Sequence, residues 1–537
     1  MHTQLSTGRR NNHSVCMYDR FRFWSHATKF LQGGWILLLL LVPGLFAQKA
    51  LADGTVQISN TNLVSFKGWG IFPAPYDRQM PTYADGSLAY GDASWLPATG
   101  ALSSGNVFAA LRDSGVQIAR VYITPTIGKR DNTLDPNQLQ DLKDHLTSLQ
   151  NAGITQYVVT IWSPPAYMKL PDQVRYGTYN NNHEYLAPAY ANGSGYDFAH
   201  FYVAVLAKLK EAGFPAPLAI SIQNEPDSNA AYDASGYMDN DSEKQTWRNV
   251  IKQLRKKLKA KNNSWFGNIR IIGPETSGWD DMDQLLGMAS SSGFAAMNAD
   301  SDFANAIGGF AYHSYATSGR ISTLDQAMAA YPGRNRWMTE YSTDTGIRPE
   351  LRPNSGVDQL NWTLNFVRRM AGDLVDFKTN YWFFWRFWHS SSSADDQDLV
   401  YGDGQKTKAY YVFQKLWSTV HSGWKVKQTN TTDPDLRADN SGLIQSGSGD
   451  QWSAPVDILA FESPAADQSF VMLVNNGSSS KNITSLSGLD GSQANIFVTT
   501  TSQDMAQQQS RPVSGGTLGN GNLTLPPYSI TFVSTGG

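Results

Sequence analysis

Two stretches, LAISIQNEPD at residues 218–227 and RWMTEYS at 336–342, decide the fold of this chain. Each is a short apolar run that ends abruptly on a glutamate among polar residues, Glu225 in the first and Glu340 in the second. A buried strand of a parallel barrel has this character, because it is apolar along its length and presents polar groups at its carboxyl end. A lone glutamate at a strand end is usually solvated, but two in similar contexts predict a pair of carboxylates at one barrel mouth.

Strand-like runs recur between residues 65 and 388, and amphipathic segments with helical spacing lie between many of them. The eight runs are 65–72, 116–123, 156–163, 218–225, 270–275, 308–315, 336–342 and 380–388. The clearest helical segments are 198–214, 243–261 and 357–373. Eight alternations of strand and helix predict an α/β fold, a (β/α)8 TIM barrel at 65–420. The segment 164–217 is too long for a plain connection and is expected to form a wall of the cleft.

The composition changes after about residue 420. Residues 421–537 are rich in Ser, Thr, Asn and Gly, and short strand-like runs such as DILAFES and SFVMLVNN alternate with turn-forming residues. This pattern predicts a C-terminal antiparallel β-sandwich as a side domain. The stretch TVQISN, within residues 53–64, precedes the barrel and is expected to add a strand to that sandwich.

The N-terminal segment is typical of export. Residues 1–52 contain basic residues, then the apolar run WILLLLLVPGLFA at 35–47, then Ala-Leu-Ala ending at Ala52. This predicts a signal peptide cleaved near Ala52 and a secreted protein, with an uncleaved anchor as the alternative. The rest of the chain then has a net charge of −8, because the 537-residue chain carries −3 and the segment +5. A mildly acidic exported protein is a poor candidate for nucleic acid or anionic membranes.

The residue types that remain favour carbohydrate chemistry. The single cysteine, Cys16, lies in the signal segment, so the mature chain has neither a disulfide nor a cysteine nucleophile. The chain is rich in aromatic residues (16 Trp, 24 Tyr and 24 Phe), whose flat faces suit sugar rings as well as protein cores. Two carboxylates at a barrel mouth are the minimum equipment for cleaving a glycosidic bond, since one protonates the leaving oxygen and the other attacks the sugar carbon.

Several motifs in order resemble glycoside hydrolase family 30 (GH30). They are KGWG at 67–70, WSPPAYMK at 162–169, SIQNEPD at 221–227, GPE at 273–275, AYHSY at 311–315, WMTEYS at 337–342 and KTKAYYVFQKLWSTVHSGW at 406–424. The resemblance implies a retaining enzyme with a barrel and an attached β-sandwich. It implies that Glu225 is the acid/base, that Glu340 is the nucleophile, and that Asn224 binds the 2-hydroxyl of the sugar. No cofactor is implied, and a monomer is expected.

Other residues are expected to line or support this site. His313 and Tyr315 share a strand face, so Tyr315 can reach Glu340 with His313 beside it. Arg120 interrupts an apolar strand and needs a buried carboxylate partner, for which Glu340 is the best candidate. Substrate contacts are expected from aromatic residues, and Glu275 competes with the catalytic pair but is interpreted as supporting. The aromatic candidates are Trp162, Trp385 and Trp388.

The substrate is predicted to be a β-linked polysaccharide, with xylan first and β-1,6-glucan or β-1,6-galactan as alternatives. Branch-reading xylanases of the resembled family carry an arginine-bearing segment after the eighth strand. Here the single arginine, Arg386, lies within that strand, displaced from the family's position, and is a candidate either for substrate binding at the mouth or for a cation packed on rings in the barrel. We therefore expect weak or no preference for a glucuronate branch. Asp395, Asp396 and Asp398 resemble a metal cluster but lie in a Ser-rich stretch and are interpreted as a solvated loop, so no metal is predicted. A non-catalytic carbohydrate-binding protein is the alternative class, and a serine esterase lacks its GxSxG motif.

Overall fold

Eight parallel strands close into a barrel, which confirms the central prediction of the sequence. Numbered in chain order, the strands are β1 Gly54–Ser65, β2 Gly68–Phe72, β3 Ile118–Ile123, β4 Gln156–Ile161, β5 Ala219–Ser221, β6 Arg270–Gly278, β7 Met288–Ala289, β8 Gly293–Phe294, β9 Gly309–Ala316, β10 Asn335–Glu340, β11 Tyr381–Trp385, β12 Lys425–Thr431, β13 Leu436–Arg437, β14 Val456–Glu462, β15 Ser469–Asn475, β16 Lys481–Ser487, β17 Gln493–Thr499, β18 Ala506–Ser514, β19 Thr517–Leu518, β20 Leu523–Leu525 and β21 Ser529–Thr535. The barrel order is β10-β11-β2-β3-β4-β5-β6-β9. Each of its strands falls within or beside one of the eight predicted runs.

The structure is a computed structural model of the chain. It describes residues 54–73, 105–169, 186–193, 195–227, 238, 241–278, 288–289, 293–316, 325, 328–342, 359–388, 398–433, 435–437 and 456–536. The predicted signal segment, part of the predicted cleft wall, Asp395 and Asp396 therefore lie outside the described residues. In the part of the chain described, none of the helices is both long and apolar enough to cross a membrane.

Helices lie between the barrel strands as the helical spacing predicts. Within the described ranges they are Gly105–Asp113, Pro136–Asn151, Pro188–Ala191, Phe198–Glu211, Asp241–Ala260, Ser264–Gly267, Ala295–Ala299, Ser301–Ala306, Gln359–Val375 and Lys408–Thr419. The helix Phe198–Glu211 shows why the boundaries are where they are. The Asp197 carboxylate caps its start by accepting from the His200 amide at 2.7 Å, and Gly213, with φ of 87°, turns the chain after its end.

The barrel interior is filled by a layer of apolar side chains below the mouth. Most of the strands contribute to it: the layer contains Ile118, Val158, Ala219, Ile272, Ala311, Trp337, Tyr381 and Phe383. On β2, Gly70 has no side chain at this level, and the Phe383 ring occupies the space, since a Cβ atom on residue 70 would lie 2.1 Å from that ring. The adjacent Trp69 is fully buried in the large cluster that includes the helices, and its Nε1 donates to the Val420 carbonyl at 2.8 Å. Polar groups therefore occur at the carboxyl ends of the strands, above this layer.

The C-terminal residues form a largely antiparallel sheet of eleven strands. Its order is β1-β12-β14-β15-β21-β17-β18-β19-β16-β20, with β13 beside β14, and β1 also pairs in parallel with β16. The N-terminal stretch TVQISN lies in β1 and so belongs to this sheet. Because the strands form one sheet that closes on itself where β1 pairs with β16, the division into two facing sheets of a sandwich stays a prediction.

The C-terminal sheet packs against the barrel through one face of its strands. On β14 and β15, Phe461 and Met472 join the cluster that contains the barrel helices, whereas Ile458 and Leu473 join the core of the sheet itself. Both faces of these strands are therefore buried, as the alternation of side chains along a strand allows. Barrel and sheet belong to one compact unit, Leu51–Gly537. The predicted domain boundaries at 64/65 and 420/421 stay predictions.

Candidate active site

Glu225 reaches the barrel mouth because its strand ends early. β5 stops at Ser221, four residues before the glutamate, and Glu225 has a φ of 41°, in the left-handed region. Its backbone N–H donates to the Glu275 carbonyl at 2.9 Å, and its Oε1 lies 2.9 Å from His313 Nδ1. Strict alternation along a strand would place Asn224 and Glu225 on opposite faces. The turn after Ser221 instead brings both to the site, where both are buried.

Glu340 is the last residue of β10 and faces the same space. A register shift between Met338 and Glu340 sets it opposite His313 of β9. Its Oε2 accepts from Arg120 Nη1 at 2.6 Å, and its Oε1 accepts from the Tyr315 hydroxyl at 3.1 Å. Burial raises the pKa of the Glu340 carboxyl above its usual value, and Glu225 adds to this, whereas His313 and Arg120 act in the opposite direction.

Arg120 is the buried cation of the site. Its side chain is 1% exposed, and its planar guanidinium approaches three groups, on β10, on β6 and on the segment after β5. Nη1 donates to Glu340, Nη2 donates to Asn224 Oδ1 at 2.6 Å, and Nε lies 3.3 Å from Glu275 Oε1. Burial lowers the pKa of Arg120, but Glu275 and Glu340 outweigh it and leave that pKa raised. The guanidinium therefore places its charge between two carboxylates.

His313 and Tyr315 lie on the inner face of β9, as the period-two spacing predicts. His313 Nδ1 lies 2.9 Å from Glu225 and 3.9 Å from Glu340, so the ring stands between the two carboxylates. Burial lowers the pKa of His313, but the charges of Glu340 and Glu225 and the hydrogen bond to Glu225 more than offset it, so the pKa is raised. Tyr315 is 41% exposed, and among the described residues it is the one large hydrophobic side chain exposed to this extent.

Glu225, His313 and Glu340 form the one group of metal-ligating side chains found in the described ranges. One ligand atom from each lies within 4.8 Å of the others, and all three residues are buried. Two carboxylates and an imidazole could hold a divalent ion. However, Arg120 already occupies Glu340 Oε2, and its positive charge lies where such an ion would be repelled. The sequence-based expectation of no metal stays a prediction.

Glu275 lies deeper than the other two glutamates. Its side chain is fully buried, one oxygen faces Arg120, and the other accepts from the Thr160 hydroxyl at 3.4 Å. Its backbone has a φ of 56° and its carbonyl accepts the Glu225 amide. These contacts place it beside both Arg120 and the Glu225 segment, and its supporting role stays a prediction.

Aromatic side chains gather at the ends of neighbouring strands. Trp385 stacks on Phe72 with ring centroids 4.2 Å apart, and Trp162 lies 5.5 Å from Trp385 and 4.9 Å from Tyr122. All four are nearly buried, with exposures of 2% to 7%. The structure thus brings Trp162 and Trp385 together. Trp388 is also buried and belongs to the large helix-facing cluster.

Sequence analysis missed Phe72 and Tyr122 in this cluster. Both carried a signal, because Phe72 is the last residue of its strand and Tyr122 shares a strand face with Arg120. They were missed because both lie in apolar runs, where the sequence pattern does not distinguish a ring at a strand end from a ring in the core.

Arg386 is paired within the protein. Its Nε donates to Asp398 Oδ1 at 2.6 Å and its Nη2 to Oδ2 at 3.3 Å, and both residues are at most 3% exposed. The interpretation of Asp398 as part of a solvated loop was wrong, because it neutralises a buried arginine. Burial of a charge requires such a partner.

Comparison with known proteins supports the same architecture. No family model and no curated protein matches the sequence. Among solved structures, the catalytic domain of GH30 xylanase C from Talaromyces cellulolyticus aligns over 90% of this chain and 100% of that chain, with a TM-score of 0.63 and 18% identity. A GH30 endoxylanase from Clostridium papyrosolvens aligns over the same shares, with a TM-score of 0.61 and 18% identity. An endo-β-1,6-glucanase aligns over 89% of this chain and 93% of that one, with a TM-score of 0.54 and 18% identity. The chain therefore has a fold like that of GH30 enzymes, as the resemblance implied.

Proposed function

We propose that the protein is a retaining glycoside hydrolase that cleaves a β-linked polysaccharide. The observation that carries this proposal is the pair of buried carboxylates at the barrel mouth. An oxygen of Glu225 and an oxygen of Glu340 lie within 4.8 Å of each other. Retaining enzymes hold their two carboxyl groups about 5–5.5 Å apart, whereas inverting enzymes need about 6.5–9.5 Å to admit a water molecule between them.

The contacts of the two glutamates favour one assignment of roles. Glu340 receives hydrogen bonds from the Arg120 guanidinium and the Tyr315 hydroxyl, which stabilise an ionised nucleophile. Glu225 Oε1 lies 2.9 Å from His313 Nδ1, and it faces the same space as Glu340. We infer that Glu340 attacks and that Glu225 exchanges the proton. Asn224 accepts from Arg120 through Oδ1, so its amide nitrogen is the end that can donate to the sugar 2-hydroxyl.

The reaction follows as two displacements. A Glu340 oxygen forms a bond to the anomeric carbon as the bond to the leaving oxygen breaks, and Glu225 gives its proton to that oxygen. Glu225, now ionised, then takes a proton from water, whose oxygen attacks the same carbon and releases Glu340. Two inversions return the β configuration.

Azide rescue tests the assignment. Glu340→Gly removes the nucleophile, so we expect loss of turnover, rescue by azide and an α-azide product, because the small anion attacks from the vacated face. Glu225→Ala keeps the nucleophile, so we expect activity only on substrates with good leaving groups and a β-azide product. Product anomers are read by NMR. Identical azide products from the two variants would refute the assignment, and a wild type inactive on every β-glycan tested would favour a non-catalytic carbohydrate-binding protein.

Xylan is the proposed substrate, without a requirement for a glucuronate branch. The motifs that resemble GH30 xylanases support the polymer, and the structural likeness to an endo-β-1,6-glucanase keeps β-1,6-glucan and β-1,6-galactan as alternatives. The Arg386–Asp398 pair supports branch independence, because the guanidinium is already matched by a buried carboxylate. The wild type should hydrolyse glucuronoxylan and debranched xylan at similar rates, and Arg386→Ala should not change the ratio of the two rates. A strong preference for the branched polymer that the substitution removes would contradict this, and activity only on a β-1,6-linked polymer would refute xylan.

The remaining parts of the proposal concern the whole chain. We propose export with cleavage near Ala52, which N-terminal sequencing of the mature protein tests. The C-terminal strands are proposed to act as a β-sandwich side domain that stabilises the barrel. Size-exclusion chromatography with light scattering tests the proposed monomer.

A further inference from the structure

The segment that carries Glu225 leaves the barrel ladder early. β5 pairs with β6 through only two residue pairs, Ala219 with Arg270 and Ile220 with Ile271. β6 continues to Gly278, well beyond the end of β5. The residues after β5 therefore need other contacts to fix them against β6.

Two such contacts hold the segment up to Glu225. Gln223 Nε2 donates to the Pro274 carbonyl at 2.5 Å, while Gln223 Oε1 accepts from Trp247 Nε1 at 2.6 Å. The Glu225 amide then donates to the Glu275 carbonyl at 2.9 Å. Residues 223–225 are thus held by the fully buried Trp247 and by the backbone of β6.

A third contact in the same series lies just past Glu225. The Asp227 carboxylate accepts from the Ser277 backbone amide, with Oδ1 at 2.9 Å and Oδ2 at 3.1 Å, and its Oδ2 also accepts from the Ser277 hydroxyl. Residues 223, 225 and 227 are thus each hydrogen-bonded to β6, although the ladder between β5 and β6 has already ended. Asp227 is half-buried, and it is separated from Glu225 only by Pro226, whose ring fixes its own φ.

We propose that Asp227 and Ser277 position the acid/base glutamate, an inference that rests on the proposed function. Glu225 has a positive φ, which a residue with a side chain adopts only where its surroundings hold it. Anchors on both sides of the residue meet that need. Because Pro226 leaves little torsional freedom between them, a shift of Asp227 moves the Glu225 carboxyl relative to the leaving oxygen. Asp227 acts through Glu225 and so is a positioning residue.

A leaving-group series tests this with the whole enzyme. The probes are dinitrophenyl and phenyl β-xylobioside, with the matching β-gentiobiosides if the wild type prefers a β-1,6 linkage. The phenyl glycoside needs a proton on its leaving oxygen and the dinitrophenyl glycoside does not. Asp227→Ala should therefore lose about 10–100-fold in kcat/KM on the phenyl glycoside and only a few-fold on the dinitrophenyl glycoside. Ser277→Ala keeps the backbone donor and should show a smaller loss of the same kind.

Two further variants separate the possible outcomes. Glu225→Gln should show the same selectivity with a larger loss, of about 10²–10⁴-fold on the phenyl glycoside. Asp467 accepts from the Ser463 hydroxyl at 2.7 Å in the connection between β14 and β15, so Asp467→Ala is a matched control that should leave both rates unchanged. Equal losses on both glycosides in Asp227→Ala, beside a selective loss in Glu225→Gln, would overturn the positioning role alone. A non-selective Glu225→Gln variant would overturn the proposed role of Glu225, and the positioning role with it.

Discussion

Replacing Arg120 by methionine tests how the proposed nucleophile stays ionised. Methionine keeps much of the length of the side chain but removes the charge and every donor. The guanidinium it replaces is 1% exposed and lies 2.6 Å from Glu340, 2.6 Å from Asn224 and 3.3 Å from Glu275. No solvent could take over these contacts without opening the site.

The size and sign of the effect follow from these contacts. A cation at hydrogen-bond distance lowers the pKa of a carboxyl by about 1–3 units, and each unit corresponds to about 1.4 kcal/mol. Burial already raises the pKa of Glu340, and Arg120 is one of two groups that oppose the rise. Without it the pKa should rise further, so a larger part of Glu340 is protonated and inactive at low pH. The acidic limb of kcat/KM should move to higher pH by about 1–3 units. Leaving Glu275 buried without its cation should also lower the free energy of unfolding by about 3–5 kcal/mol.

The assay is the pH dependence of kcat/KM on an activated aryl glycoside, measured on protein that circular dichroism shows to be folded. Arg120→Lys is the matched control, because lysine keeps the charge but not the planar fork of donors. We expect its acidic limb to move by less than one unit although its activity falls, since one ammonium cannot serve all three partners. A folded Arg120→Met variant whose acidic limb coincides with that of the wild type would refute this account of the nucleophile.

Three further predictions concern the fold. Arg368 and Asp457 form a buried ion pair between the helix Gln359–Val375 and the C-terminal sheet, so Arg368→Met should cost about 3–5 kcal/mol in urea unfolding, and adding Asp457→Leu should recover most of it. Gly70→Ala should cost about 1–3 kcal/mol in the same assay, because its Cβ would lie 2.1 Å from the Phe383 ring, and an unchanged midpoint would contradict the close packing. Truncation after about residue 420 should give insoluble protein, since it exposes apolar strand faces and the barrel surface under them, whereas a soluble, active barrel would show two independent modules.

Most of the barrel was predictable because its signal is local. A strand buried on both faces is an unbroken apolar run, and a helix against it repeats its apolar residues every three or four positions. The exception is β5, predicted at 218–225 and found at Ala219–Ser221. The polar residues Gln223 and Asn224 marked the change, but the left-handed turn at Glu225 depends on contacts with β6 that no neighbouring sequence specifies.

The C-terminal sheet shows a second reason for the limits of prediction. Each strand there has a local signal, yet pairing is a property of two segments. β1 pairs with β16 more than 400 residues away, at Val56 with Leu486, and nothing in TVQISN selects that partner. The positions of the strands were therefore predictable, but their pairing was not.

The same distinction applies within the site. Glu225 and Glu340 were readable because each ends an apolar run, and His313 and Tyr315 because period two fixes a shared face. Asp398 was not readable, because its Ser-rich surroundings resemble a solvated loop. Its burial accompanies its contact with Arg386, twelve residues earlier in the chain, which the sequence around Asp398 does not indicate.

Arg120 shows why a single side chain can decide the geometry of a site built from several strands. Its planar donor fork contacts Glu340, 220 residues away in the chain, and Asn224, 104 residues away, at the same distance of 2.6 Å. Glu275 Oε1 lies 3.3 Å from the Nε of the same guanidinium, so a second carboxylate balances its charge. On the proposed roles, the nucleophile and the residue beside the acid/base are therefore set by one rigid group. A displacement of Arg120 would therefore move both Glu340 and Asn224. The separation of the two carboxylates, which sets the stereochemical outcome, thus depends on a residue that transfers no proton and forms no bond to the sugar.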